Sequence, residues 1–207
     1  MAILDAIHVG VTGGTTILGP ESGTSLLILG AVLLHAAAYV ALAVLLQVRR
    51  DGIDAGSRAR HLSRVCLEVS YLSMAVFFGP VVVGVWVTGA DPADIPGLLN
   101  IPAALGFVGL FVFTVVLGIA LLRVPGMRLP VVVLTGVLAG IGFTMLLAAL
   151  HSDYAHPAYP EAFAYIGTAL AGVRSAPRGG HDRPGQPSAH RRHDARTSAA
   201  APGQRAG

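Results

Sequence analysis

The stretch that decides the fold is residues 24–48, TSLLILGAVLLHAAAYVALAVLLQV, which contains no Asp, Glu, Lys or Arg. A helix needs about 20 consecutive apolar residues to cross the roughly 30 Å hydrocarbon core of a bilayer. Residues 24–48 exceed that length, and Arg49 and Arg50 follow them directly. The stretch therefore predicts a transmembrane helix that ends at a charged membrane surface.

The rest of the chain repeats this pattern of long apolar blocks. Hydrophobic residues make up 54% of the 207 residues and charged residues only 12%, against about 25% charged residues in an average soluble domain. We therefore predict an all-α integral membrane bundle of five transmembrane helices. The four spans after the first are predicted at residues 65–88, 99–122, 129–150 and 158–173. The last is the shortest, at roughly 24 Å of helix.

Prolines predict where these helices begin and where one is irregular. Pro80 lies inside the second span, where a missing N–H removes a helical hydrogen bond, and we expect a kink there. Pro102 and Pro130 are predicted in the first turns of the third and fourth spans, where the N–H has no partner within the helix anyway.

The positions of the arginines predict the orientation. All 14 basic residues are Arg, and they lie after the first, third and fifth predicted spans, whereas residues 1–23, 89–98 and 151–157 contain none. Cytoplasmic loops collect Arg and Lys. We therefore expect residues 1–23 to be an extracytoplasmic N-terminal segment and the C-terminus to lie inside. The expected location is a bacterial cytoplasmic membrane.

The C-terminal residues 174–207 differ in composition from the rest of the chain. They hold seven Arg and two Asp and are rich in Pro, Gly and Ala. Such a segment buries too little apolar surface to offset the entropy of folding, so we expect a disordered cytoplasmic tail. An Arg-rich tail beside the inner leaflet is attracted to anionic lipid. The alternative is a solvated tail without a partner.

Glu68 and His35 are ionisable residues that we expect inside the membrane, where charge is costly, whereas Glu161, at the start of the fifth span, is grouped with the outer loop. Glu68 lies near the inner end of the second span, four residues after Arg64, and this spacing predicts an interfacial ion pair. His35 falls near the middle of the first span. Its imidazole needs a hydrogen-bond partner, for which Thr114 and Thr144 are the candidates at matching depth. His35 is either such a structural residue or a site for a proton, ligand or metal.

One loop is dense in metal-ligand residue types. His151, Asp153 and His156 lie between the fourth and fifth spans, and these are side chains that bind zinc and similar ions. Their spacing matches no established metal motif, and the alternative is an ordinary interfacial turn. No cofactor is predicted: His61 and His151 each lie roughly 15 Å in depth from His35, which argues against a bis-His haem within one subunit.

The sequence indicates no nucleophile, catalytic base or cofactor motif, so we expect a protein that is not an enzyme. The predicted function is a non-enzymatic accessory or scaffold membrane subunit. The alternative is a small oligomeric transporter or channel for a proton, ion or small solute. The expected partners are the lipid bilayer and either another membrane protein or further copies of this chain. No nucleic-acid partner is expected.

Overall fold

The structure is a computed structural model that describes residues 7, 11, 26–88 and 97–175. All regular structure in this part of the chain is helical, and none of these residues forms a strand. The helices are α1 (Leu26–Val48), α2 (Arg50–Asp54), α3 (Arg58–Val76), a π-helical segment (Phe77–Val81), α4 (Val82–Thr88), α5 (Gly97–Ala120), α6 (Arg128–Ala149) and α7 (Ala158–Arg174).

Four stretches of described helix are long and apolar enough to cross a membrane. They are Leu29–Val48, Arg58–Pro80, Ile101–Ala120 and Arg128–Ala149. The fifth predicted span corresponds to α7, a helix of 17 residues. The expectations for the N-terminal segment, apart from Ile7 and Val11, and for the tail from residue 176 onward lie outside the described residues.

The helix of the second predicted span begins earlier than expected, at Arg58 instead of Val65. Ser57 precedes it in an extended conformation, and its hydroxyl accepts a hydrogen bond from the Arg60 backbone N–H at 3.4 Å. This is the usual way in which a serine satisfies a free N–H at a helix start. The helix therefore extends beyond its apolar stretch into a polar first turn.

The irregularity predicted at Pro80 takes the form of the π-helical segment Phe77–Val81. Proline has no N–H to donate to the carbonyl four residues earlier, so one α-helical hydrogen bond is lost at Pro80 and the helix is locally distorted. Single π-helical turns within α-helices often occur at functional sites. Pro102 lies two residues deeper than predicted, as the sixth residue of α5, because that helix already begins at Gly97.

The long helices pack in chain order around a common core. Among the described residues, α1 packs against α3, α3 against α5, α5 against α6 and α6 against α7, and α7 returns to α1. The fully buried side chains at the centre include Tyr39, Tyr71, Leu67, Leu110 and Leu134. Large apolar side chains are exposed on the outside of every long helix, as expected where the surroundings are lipid or another membrane helix.

Two glycines of α6 let α7 approach closely. A Cβ atom added at Gly136 would meet the Phe163 ring at 2.9 Å, and one added at Gly140 would meet Pro160 Cα at 2.9 Å and its N atom at 3.0 Å. At Gly142 such an atom would meet nothing within 4 Å. The Gly136–Gly140 pair therefore forms the small-residue surface through which α6 contacts α7.

Gly140→Ala is expected to destabilise the protein by about 1–3 kcal/mol, because its methyl group would overlap the backbone of Pro160, which cannot rotate away. Gly30→Ala, in α1, is the matched control. Its methyl group enters open space, and alanine favours a helix over glycine by about 1 kcal/mol. Thermal unfolding in detergent should thus shift in opposite directions for the two variants. Equal shifts would contradict the close approach of α6 and α7.

Candidate functional site

His35 of α1 is 4% exposed, and one edge of its ring faces two polar side chains of α7. Its Nε2 atom lies 3.4 Å from the Tyr165 hydroxyl and 3.8 Å from Glu161 Oε2. Its Nδ1 atom is buried and has no hydrogen-bond partner among the described residues. An unpaired buried nitrogen costs free energy. Only one of the two imidazole nitrogens therefore has a hydrogen-bond partner among the described residues.

The prediction that Thr114 or Thr144 bonds to His35 was wrong. Thr114 donates to the Leu110 carbonyl at 2.5 Å, four residues earlier in its own helix. Thr144 donates to the carbonyls of Gly140 at 3.0 Å and His156 at 3.1 Å. The hydroxyl of a threonine in a helix readily donates a hydrogen bond to a backbone carbonyl of the preceding turn. Both hydroxyls are bonded in this way, and neither bonds to His35.

Aromatic rings enclose the His35 imidazole. Phe78 of the π-helical segment stacks on it with ring centroids 5.4 Å apart and an interplanar angle of 25°. Tyr39 lies at 5.3 Å and Tyr165 at 6.2 Å from it. Tyr71 continues the cluster, and its hydroxyl lies 2.9 Å from Thr168 Oγ1. The centre of the bundle is thus a compact aromatic cluster with several hydroxyl groups.

Glu161 is the acidic member of this site. It lies in the first turn of α7, and its side chain is 13% exposed. The Tyr165 hydroxyl donates to Glu161 Oε2 at 3.4 Å. From the sequence, Glu161 was expected in the outer loop and not beside His35. The spacing of Glu161 and Tyr165 puts them on one helix face, and this was the signal that could have identified the pair.

A groove of about 280 Å³ adjoins Glu161. It lies where α3, the π-helical segment, α5 and α7 meet. Its lining consists of Met74, Phe77, Phe78, Ala103, Ala104, Phe107 and Glu161. The groove is therefore apolar and rich in phenyl rings, with a single carboxylate in its wall. Its Phe78 ring is the one that stacks on His35.

A second polar cluster lies at the Arg49–Arg64 end of the bundle. Arg64 is 2% exposed and donates through Nε and Nη2 to both carboxylate oxygens of Asp54, at 2.9 and 3.0 Å. Its Nη1 donates to Glu68 Oε1 at 2.6 Å and to Gln47 Oε1 at 3.1 Å. The structure therefore contains the expected Arg64–Glu68 pair, and it adds Asp54 and Gln47 as partners.

These contacts lower the pKa of the Asp54 carboxyl. Burial by itself raises the pKa of the Asp54 carboxyl, but hydrogen bonds from Arg64 and His61 outweigh burial and leave that pKa below its ordinary value of 3.8. His61 Nδ1 lies 2.8 Å from Asp54 Oδ2. The ionised carboxylate is thus the form that the cluster stabilises.

The structure does not bring His151, Asp153 and His156 together. No three His, Cys, Asp or Glu side chains lie where they could share a metal ion, as far as the described residues extend. Instead, His156 Nδ1 accepts a hydrogen bond from the Ala158 backbone N–H at 3.1 Å, at the start of α7. His151 and Asp153 are exposed. Their geometry is that of a turn between two helices.

Comparison with known proteins gives no further guidance. No protein-family model, no curated protein and no solved structure matches the chain.

Proposed function

We propose that this chain is a multi-pass protein of the bacterial cytoplasmic membrane with five spans, its N-terminus outside and its C-terminus inside. The four long apolar helices support the membrane assignment. In this proposal α7 is the fifth span, and its 17 residues correspond to about 25 Å of helix. The arginine-rich connections between α1 and α3 and between α5 and α6 support the orientation.

Within that membrane we propose a non-enzymatic subunit whose helices pack with a partner membrane protein or with copies of itself. The observation that carries this proposal is the outer face of α6. Arg128–Ala149 is the least buried of the four candidate spans, at 22%. Its exposed surface combines Leu138, Met145 and Leu146 with Gly142, and a glycine on such a face allows another helix to approach closely.

Purification in mild detergent tests this proposal. The protein should elute either with one stoichiometric partner or as an oligomer, and Gly142→Leu should dissociate that assembly without lowering the thermal stability of the remaining chain. A monodisperse single chain with no partner would contradict the subunit proposal. We further propose that the basic tail contacts anionic lipid, and the seven Arg that follow the fifth proposed span in the sequence support this.

Transport by an oligomer is the second candidate function, and the contact of His35 with Glu161 and Tyr165 favours it. Groups that can bind a proton are rare in membrane interiors and commonly belong to proton or substrate pathways. His35 Nε2, the Tyr165 hydroxyl and Glu161 Oε2 lie within 3.8 Å of each other. A proton or solute moving along the bundle would meet these three groups together.

A further inference from the structure

We propose that the groove beside Glu161 binds a hydrophobic organic monocation, such as a protonated aromatic amine or a quaternary ammonium compound. The Glu161 carboxylate is the counter-charge of the ligand, and the rings of Phe77, Phe78 and Phe107 surround its apolar part. This inference goes beyond the proposed function, because a non-enzymatic subunit requires no small-molecule site.

The charge of the lining selects a cation. Glu161 is the one charged residue among those that line the groove. Its carboxylate is largely buried, and the protein groups that approach it lie at Oε2: the Tyr165 hydroxyl donates a hydrogen bond there, and His35 Nε2 lies 3.8 Å away. Among the described residues no hydrogen bond reaches Oε1. A neutral ligand would bury this carboxylate further without a partner, and an anion would be repelled.

The rings of the lining favour an organic cation over a metal ion. Phe77 and Phe78 pack edge to face with ring centroids 5.6 Å apart, and Phe107 of α5 also lines the groove. The faces of aromatic rings attract ammonium groups once both are removed from water. A metal ion would need several oxygen or nitrogen ligands, and this lining offers one carboxylate.

The volume of the groove sets the size of the ligand. At about 280 Å³ it lies at the lower end of the range for small-molecule sites, roughly 300–1,000 Å³. One aromatic ring with a small ammonium group is a ligand of that size. Benzyltrimethylammonium is therefore a suitable probe, since it carries a fixed positive charge beside a single ring.

Binding of benzyltrimethylammonium to the purified full-length protein, measured by isothermal titration calorimetry in a detergent without a choline group, tests the proposal. The wild type should bind saturably, and Glu161→Gln should bind at least about tenfold more weakly, because the counter-charge is lost. Gln still has an oxygen that can accept from Tyr165. Asp153→Asn is the matched control, since it removes a negative charge from the exposed loop, and its affinity should equal that of the wild type.

A second variant keeps the carboxylate and fills the groove. Ala104 lines the groove and is exposed, so Ala104→Phe should block binding while the thermal stability stays near that of the wild type. Equal isotherms for wild type and Ala104→Phe, or no saturable binding by folded wild type, would overturn the proposal. Displacement of the probe by dihexanoylphosphatidylcholine at lower concentration than the probe itself would reassign the groove to a lipid headgroup and also overturn it.

Discussion

Arg64→Met is expected to lower the free energy of unfolding by about 3 kcal/mol, the lower end of the range for breaking a buried ion pair. Arg64 joins three elements, because it bonds Gln47 of α1, Asp54 of α2 and Glu68 of its own helix α3. Methionine fills a similar volume but leaves both carboxylates without their counter-charge. Asp54 and Glu68 retain some exposure, so water compensates in part.

Thermal or chemical unfolding in detergent measures this effect. Arg64→Lys should lie between wild type and Arg64→Met, because lysine keeps the charge but cannot form the two parallel bonds to Asp54. Arg58→Gln is the control: this arginine is exposed, so its loss should change stability by no more than about 0.5 kcal/mol. Equal stability of Arg64→Met and Arg58→Gln would contradict the structural role of the cluster.

The stability of Arg64→Met should also differ from that of the wild type in its dependence on pH. Because the pKa of Asp54 is lowered in the folded protein, its contribution to stability is complete above the ordinary value of 3.8 and is lost as the pH falls through the lowered folded value. Below pH 3.8 the wild type should therefore lose stability faster than Arg64→Met, whose Asp54 lacks its main hydrogen-bond donor. Parallel curves in that range would contradict the assignment of the Asp54 partner.

His35→Ala is expected to be the second most damaging substitution, at about 2–3 kcal/mol, a cost like that of removing a large buried side chain. Alanine would leave a cavity between Phe78 and Tyr39, which both pack on the imidazole. His35→Leu fills that volume and loses the contacts of Nε2 to Tyr165 and Glu161, which still bond each other, so about 1 kcal/mol is expected. Equal stability of the alanine and leucine variants would contradict the packing role.

Proton flux in proteoliposomes separates the second candidate function from this structural role. If the chain transports, the wild type should show flux driven by a pH gradient, and His35→Gln should fold normally yet abolish it. His151→Asn is the control, because His151 is exposed in the loop before α7 and has a positive φ of 51° that asparagine tolerates. Absence of wild-type flux, or equal flux in His35→Gln, would exclude transport through His35.

The helical fold could be predicted from the sequence because the thickness of a membrane sets the length of a spanning helix. Apolar blocks of that length can be recognised directly in the sequence. The predicted ends of α1, α5, α6 and α7 lie within two residues of the observed ones. The polar start of α3 was missed, since no apolar pattern marks Arg58–Arg64. The short helix α2 was missed for the same reason.

The site could be predicted only where its residues share a helix. Arg64 and Glu68 are four residues apart, so one helix face joins them. Asp54 reaches Arg64 only because the chain reverses at Ala55 and Gly56, with φ values of 35° and 79°. No spacing in the sequence indicates that reversal.

The contact of His35 with Tyr165 could not be read from the sequence either. It depends on α7 closing the bundle against α1, and the two residues are 130 positions apart. Apolar patterns indicate which segments are helices, but not which helices are neighbours. The threonines were chosen by depth alone, whereas the structure shows that each one bonds to its own helix.

The central claim, five spans with the C-terminus inside, is tested most directly by cysteine labelling of intact cells with a membrane-impermeant maleimide. The native Cys66 is replaced by Ser, and a single cysteine is placed at Ala59, at Asp153 or at Ser198. Ala59 and Asp153 are exposed at opposite ends of the bundle in this proposal, and Ser198 lies in the tail. Asp153→Cys should be labelled in intact cells, and Ala59→Cys and Ser198→Cys only after permeabilisation. Labelling of Ser198→Cys from outside, with Ala59→Cys protected, would show that α7 does not cross the membrane and would contradict the account.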